Sequence, residues 1–389
     1  MIFLYEDELY KNFLPLVYLR PIFNLYCGRL SLYQKIRKLY HNEQLNFLVR
    51  PLLENYVQEN YSNGTVNDIP KNDSISLFIS ARTILKQNID VAGKEEIFIN
   101  RENEIIGFRV KNSRIKQIPI NIRTILNWKL PKRQVNAISA KYLWNLIELN
   151  SQELISDFSS FKNLGKISKH AFIWGDIEKL YLGRDAEIEA GSVIDLRQGP
   201  IYIDDNVKVL ALSKIVGPSY IGNNSIIDQV KITGGTTIGA NCRVSGEVES
   251  SIFQGCINKH HYGFIGHSYI GEWVNLGAGT TNSDLKNNYS SVKVHLGKKE
   301  IDSGQTKVGC YIGDHSKTAI GTMIPTGAVI GIFANVLESS KLIRDFYWSK
   351  GKRWQIEQAL NTAKSVMLRR DKILTRAEES LIRKLYKIK

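Results

Sequence analysis

Between Ile257 and Tyr289 the chain reads INKHHYGFIGHSYIGEWVNLGAGTTNSDLKNNY. A His pair, a Lys, two Gly-rich turns and a run of amide side chains share this short stretch. Imidazole titrates nearest neutral pH, so His261 is a candidate general base, while His260 reads as a residue lining its turn. Arg243 and Lys259 are cations that reach a phosphate if they point outward. The chemistry these parts suit is group transfer to a nucleophile that must lose a proton, on a substrate anchored by its charge. For each residue the plain alternative is a corner or turn position in a regular repeat.

That repeat is what must position them. Aliphatic residues recur every six positions at Leu182, Ile188 and Ile194, then at Ile203, Val209, Ile215, Ile221 and Ile227. After a slip the series resumes at Ile232, Ile238 and Val244, at Ile270 and Leu276, and finally at Ile312, Thr318, Ile324, Ile330 and Val336. Gly often follows the aliphatic residue, and a small residue often sits four places after it (Ser225, Thr236, Cys242, Thr280, Ser316). A period of six is neither that of an amphipathic helix nor that of an alternating strand; it is the period of a parallel β-helix built from hexapeptides. The largest break, Thr281–Val308, marks a loop that leaves the coil.

The rest of the chain is ordinary in composition. It has 389 residues, 43% hydrophobic and 23% charged, enough for two or three cores. No long apolar run predicts a membrane span, and the acidic N-terminus argues against a secretory signal. Cys27, Cys242, Cys256 and Cys310 are scattered, which reads as reduced thiols of a cytoplasmic protein. The net charge of +14 suits anionic partners. Residues 341–389 carry 14 Lys and Arg against 5 Asp and Glu, so nucleic acid is a possible partner for this tail beside the simpler reading of a solvated helical face.

Residues 1–125 read as mixed α/β. Strands are expected at Met1–Tyr5, Leu14–Arg20, Asn46–Val49 and Ser74–Ser80, a helix at Leu30–Tyr40, and a hairpin over 97–110. The spacing predicts a helix over 134–162 and two helices in the tail, the second capped by Thr375 with Glu378. These tail helices are expected to cap the open end of the β-helix.

At this level the chain resembles the GlmU-type bifunctional enzymes that make UDP-N-acetylglucosamine, in their alternative bacterial and archaeal branch. The central match, NKHHYGFIGHSYIGEWVNLGAGTTNSDLKNNYSSVKV, carries the resemblance. LPLVYLRPIFNLYCGRLSLYQK, YLWNLIELNSQELISDF and WSKGKRW extend it over most of the chain. The resemblance implies a sugar nucleotidyltransferase-like α/β domain (1–133), a linker helix (134–166), a left-handed β-helix acyltransferase domain (167–340) and a basic helical C-terminal segment (341–389). It implies acetyl-CoA as acyl donor and glucosamine-1-phosphate or a related amino-sugar phosphate as acceptor. UTP and Mg²⁺ follow if the N-terminal domain is active, and a homotrimer is implied. His261 matches the family's catalytic His. Asp284 falls beside the amine, and Asn288, Tyr289 and Lys293 lie in a loop that reaches a neighbouring subunit's sugar site. Ala278, Gly279 and Thr322 match the acetyl-CoA side. Arg20, Gly28 and Lys35 would serve the nucleotide, and Asp7 the metal.

Two departures point to a different sugar or to a non-catalytic scaffold that binds nucleotide sugars. Glu249 stands where the better-known branch has a phosphate-binding lysine, and Asn24-Leu25-Tyr26 stands in place of Asp-Leu-Arg. The alternative product would be a sugar for surface polysaccharide.

Overall fold

The computed structural model describes residues 1–61, 64–159, 163–297 and 299–388. Its N-terminal part is a six-stranded mixed sheet. The strands are β1 (Ile2–Tyr5), β2 (Leu45–Leu48), β3 (Ile75–Ser80), β5 (Glu96–Ile99), β6 (Ile105–Lys111) and β7 (Lys132–Gln134), in the order β2-β1-β3-β6-β5-β7. The short strands β4 (Thr83–Leu85) and β8 (Ala137–Ser139) pair antiparallel beside it. β1, buried along its whole length, lies parallel to β2 and β3, as a strand covered on both faces requires. The expected hairpin is the antiparallel pair β5–β6. Helices α1 (Leu32–Leu39), α2 (Glu54–Asn60) and α3 (Ile122–Asn127) complete the domain. α1 starts at Ser31, whose hydroxyl accepts from Gln34 N while Gln34 accepts from Ser31 N.

Leu14–Arg20 is not a strand. Asp7 accepts from Leu9 N and starts a 3₁₀ turn at Glu8–Phe13, after which the chain runs irregularly with Leu16 and Val17 buried. Its carbonyls are satisfied by a side chain instead of a neighbouring strand: the Arg50 guanidinium binds those of Val17 and Arg20 while pairing with Glu6 at 2.8 Å. The helix expected over 134–162 is shorter. Its first part is β8, tied to β4, so the α/β unit runs past residue 133. The helix proper, α4, spans Leu143–Asp157, and 160–162 lie outside the described residues.

From residue 166 the chain is a β-helix. One of its faces is a nine-stranded parallel ladder. In it Leu182, Ile203, Ile221, Ile238, Phe253, Ile270, Ile312, Ile330 and Ile343 stack in register. All are buried in one continuous core, so the hexapeptide reading holds. The excursion starts later than the expected Thr281: Thr281–Asn282 still pair with Met323–Ile324 in the coil, and the chain beyond leaves it and folds on itself as a hairpin, Lys293–Leu296 against Lys299–Asp302.

The tail forms α5 (Ile356–Leu368) and α6 (Arg376–Ile388). The expected Thr375–Glu378 cap is present, with bonds of 2.9 and 3.2 Å. These helices turn back along the flank of the coil. α6 packs on α2 and on Pro51–Leu53, and Thr375 donates to Glu59 at 2.9 Å. No helix among the described residues is long and apolar enough to cross a membrane.

Candidate active site and domain joint

Three charged residues meet at one corner of the coil. Glu249, His267 and Asp284 are 18 and 17 residues apart, close to the three hexapeptides of one turn, so successive turns stack them. His267 takes a left-handed φ of +47°, which swings its side chain out of the corner. Its Nδ1 lies 2.7 Å from Asp284 Oδ2, with the two side chains only 18% and 14% exposed. Burial alone would raise the Asp284 carboxyl. The hydrogen bond from His267, with the charges of His267 and Lys307, instead holds it below the usual carboxylate range. An ionised Asp284 only accepts, so Nδ1 of His267 carries the proton of this hydrogen bond.

Donor atoms of Glu249, His267 and Asp284 all lie within 4.8 Å of one another. Glu249, however, already pairs with Lys307 at 3.1 Å, and that ammonium stands where a divalent cation would repel it. The same pair answers the charge reversal at Glu249, since Lys307 of the extruded loop returns a cation to the place. His267 and Lys307 line a cavity of about 280 Å³ with Ser250, Tyr311 and Trp144 of α4.

His261 stands exposed on the next turn, its ring 6.1 Å from that of His260, whose Nε2 is 3.3 Å from Asp228. The neighbouring Tyr262 is 74% exposed and lies against Gly279, whose N–H donates to the Tyr262 carbonyl at 3.0 Å. A Cβ at Gly279 would come within 3.2 Å of the Tyr262 hydroxyl, and its φ is +75°, so glycine is needed there. Tyr262 and the Ala278–Gly279 turn are therefore neighbours, with His261 next to Tyr262 in the chain. Asn288, Tyr289 and Lys293 lie elsewhere: Asn288 accepts from Ser290 N, Tyr289 is 70% exposed, and Lys293 sits in the hairpin.

Two residues expected to face substrate turn inward. Lys259 pairs in register with Val244 and so occupies the interior phase of its hexapeptide. Its Nζ donates to the carbonyls of Ser245 (2.6 Å), Gly263 (2.8 Å) and His261 (3.2 Å), and burial pushes it down to about 8. Thr322 is the small interior residue four places after Thr318, and its hydroxyl donates to the Ala319 carbonyl at 2.8 Å. Arg243 is half-buried and donates to the carbonyls of Asn224 and Cys242.

The segment expected to cradle a nucleotide forms the joint between the two domains. Arg20 pairs with Asp314 at 2.8 Å and Glu272 at 3.1 Å. Gly28 N donates to Asn150 of α4, and its carbonyl accepts from Thr237 at 2.8 Å. Lys35 is held by Glu153 and Asp157 of α4 at 2.8 and 2.6 Å. Tyr26 N donates to the Tyr269 hydroxyl at 2.8 Å.

Residues 2–164 match the sugar nucleotidyl transferase family model. This part of the chain is similar to sugar nucleotidyl transferases. Over 202 residues the chain is 34% identical to a bifunctional sugar-1-phosphate nucleotidylyltransferase/acetyltransferase of Sulfurisphaera tokodaii, covering 52% of this chain and 45% of that protein. Over 156 residues it is 30% identical to the bifunctional protein GlmU of a Picosynechococcus species, covering 38% and 31%. The chain thus spans less than half the length of these relatives. A UDP-N-acetylglucosamine acyltransferase from Campylobacter jejuni aligns over 56% of this chain and 95% of its own at 14% identity, with a TM-score of 0.25. The β-helix is read here from its own ladder, not from that alignment.

Within this N-terminal part Asp7 is no open metal ligand. It is buried, caps the 3₁₀ turn and accepts from Arg82 Nε at 2.9 Å. Arg20, Gly28 and Lys35 are likewise engaged by the joint. His267 and Lys307, the partners of Asp284 and Glu249, are the functional candidates that sequence reading passed over.

Proposed function

We propose that the chain is a nucleotide-sugar biosynthesis enzyme whose β-helix transfers an acetyl group from acetyl-CoA to the amine of an amino-sugar phosphate. Glucosamine-1-phosphate is the simplest acceptor. The observation that carries this reading is the edge on which Tyr262, next to His261 in the chain, lies against the Ala278–Gly279 turn of a coil with a nine-stranded face. His261 takes the amine proton, and backbone groups of the turn hold the thioester oxygen as charge develops. Asn288, Tyr289 and Lys293 serve a neighbouring copy in a homotrimer, which light scattering on the intact protein tests.

A second reading of the base is favoured by the 2.7 Å bond of His267 to Asp284, which orients an imidazole as nucleophile–base–orienter sites do. The assay is CoA release from acetyl-CoA with glucosamine-1-phosphate. A fall of about 10²–10⁴-fold in His261→Ala, with His267→Ala near wild type, supports His261 as the base. The reverse pattern moves the role to His267, and no release from a folded wild type overturns this acceptor.

The N-terminal domain is read as the site of uridylyl transfer from UTP with Mg²⁺. In the arrangement described, Asp7 is held by Arg82 and does not fit a metal role, so no step is routed through it. Pyrophosphate release from UTP tests this part by itself.

A further inference from the structure

Buried cations in this molecule are matched with acids or, at Lys259, with three backbone carbonyls. Arg20, Lys35, Arg50, Arg82 and Arg109 each face a carboxylate. One group breaks that rule. Among the described residues Arg243, Lys317, Arg369 and Arg370 form no ion pair with an acid, although they converge where α5 lies along one face of the coil.

The coil sets two of these cations, Arg243 and Lys317. Arg243, Asn258, Asn275 and Lys317 occupy one column on successive turns, and Asn258 Nδ2 donates to Asn275 Oδ1 at 2.8 Å. Arg369 and Arg370 follow the last turn of α5 and lean over this column. Between them is a cavity of about 300 Å³ lined by Asn258, Asn275, Lys317, Arg369, Arg370 and Trp273. Lys317 Nζ makes one hydrogen bond, to the His315 carbonyl at 3.1 Å, and sits 5.6 Å above the Trp354 ring. Burial pushes it down to about 8. Burial and the charge of Arg370 hold Arg243 below its ordinary range, so these guanidiniums repel each other across the space. A cluster of like charges beside a cavity, with amide donors and no acid, is stabilised by a bound anion.

We propose that this cavity binds the diphosphate group of a small phosphorylated ligand between the coil face and α5. The size excludes a folded polymer. Several cations in one place call for more than one negative charge, and Arg forks match phosphate oxygens two at a time. Inorganic pyrophosphate, a nucleoside diphosphate and the diphosphate of CoA share this chemistry. The site stands apart from the His261 edge and does not depend on the acyl-transfer reading.

Calorimetric titration of the full-length protein in low salt tests it, with pyrophosphate, UDP and CoA as separate probes. Saturable binding of at least one probe is expected. It should weaken by about tenfold or more in Lys317→Met and in Arg370→Gln, as loss of a charged hydrogen bond implies. The more exposed Arg369→Gln provides a third variant should either of the first two fail to fold by circular dichroism. Lys384→Gln, on the exposed face of α6, should leave binding unchanged. The tightest probe names the source of the diphosphate. Absence of binding by all three, binding undiminished in the folded cavity variants, or equal weakening by Lys384→Gln would each overturn the site. The last of these would mean diffuse attraction to a basic tail, the pattern that a nucleic acid partner would give.

Discussion

His267 and Asp284 hold each other at 2.7 Å, whereas His261 stands in solvent, and the difference separates their predicted behaviour. In Asp284→Asn the amide can no longer serve as an anionic acceptor. If the dyad acts in catalysis, the pH–rate profile should shift together with a fall in kcat; if it is a structural clip, only the melting temperature should move. Lys259 carries a second prediction. Its folded value of about 8 lies below the ordinary lysine value, so between the two the unfolded chain binds the extra proton. The penalty of holding a buried ammonium is full below about pH 8 and is relieved as pH rises towards the unfolded value. Relative to Lys259→Met, the wild type should therefore gain stability from pH 7.5 to 9.5 in urea titrations; a constant difference would show that the lysine does not titrate there. Both residues also mark what was legible at this scale. Imidazole chemistry and the family resemblance pointed to His261. The hexapeptide phase puts Lys259 in register with Val244, facing inward, and stacks Glu249, His267 and Asp284 one turn apart. Spacings of 17 and 18 residues were visible in the chain but acquire meaning only once the coil circumference is applied.

The elements were legible in proportion to how far local pattern governs them. The coil repeats one interior position so often that each rung supports the next, and its period stood out plainly. Its core should be correspondingly sensitive. Ile238→Ala, central in the nine-rung column, should cost about 2–5 kcal/mol by urea denaturation, because the stacked neighbours Ile221 and Phe253 cannot close the gap. A loss below about 1 kcal/mol would mean that the coil collapses locally. The Leu14–Arg20 segment and the start of the 134–162 span were misread because long-range partners decide them: the Arg50 guanidinium for the first, pairing with Thr83–Leu85 for the second. α4 depends on partners too. Glu153 is buried against Lys35 and Lys86, so Glu153→Ala takes the carboxylate from Lys86, leaves Lys35 with Asp157 alone, and should destabilise the protein by roughly 1–3 kcal/mol. A near-neutral effect on the urea midpoint would show that α4 is held by its apolar face alone.

At the scale of the whole molecule, the residues expected to hold a nucleotide instead join two architectures that share no backbone ladder. Arg20, Gly28 and Lys35 were noticed because the family resemblance assigns them to the nucleotide; their use at the joint could not be read without the coil that faces them. Arg20 is the buried charge of this joint, and Asp314 reports on it. Burial drives the Asp314 carboxyl up to about 6 even with Arg20 alongside. A folded value above the unfolded one means that this group's contribution to stability is complete below about pH 4 and declines as pH rises to about 6. Replacing Arg20 with Met removes the countercharge and leaves Glu272 near, so the folded value must rise further. The decline then continues through neutral pH. Arg20→Met should therefore be destabilised relative to wild type at pH 5, and more so at pH 8, in parallel urea titrations. If the two domains are coupled through this pair, the wild type should unfold in one transition, and the variant should separate into two as pH rises. A gap that stays constant with pH would assign the coupling to the Tyr26–Tyr269 and Gly28–Thr237 hydrogen bonds.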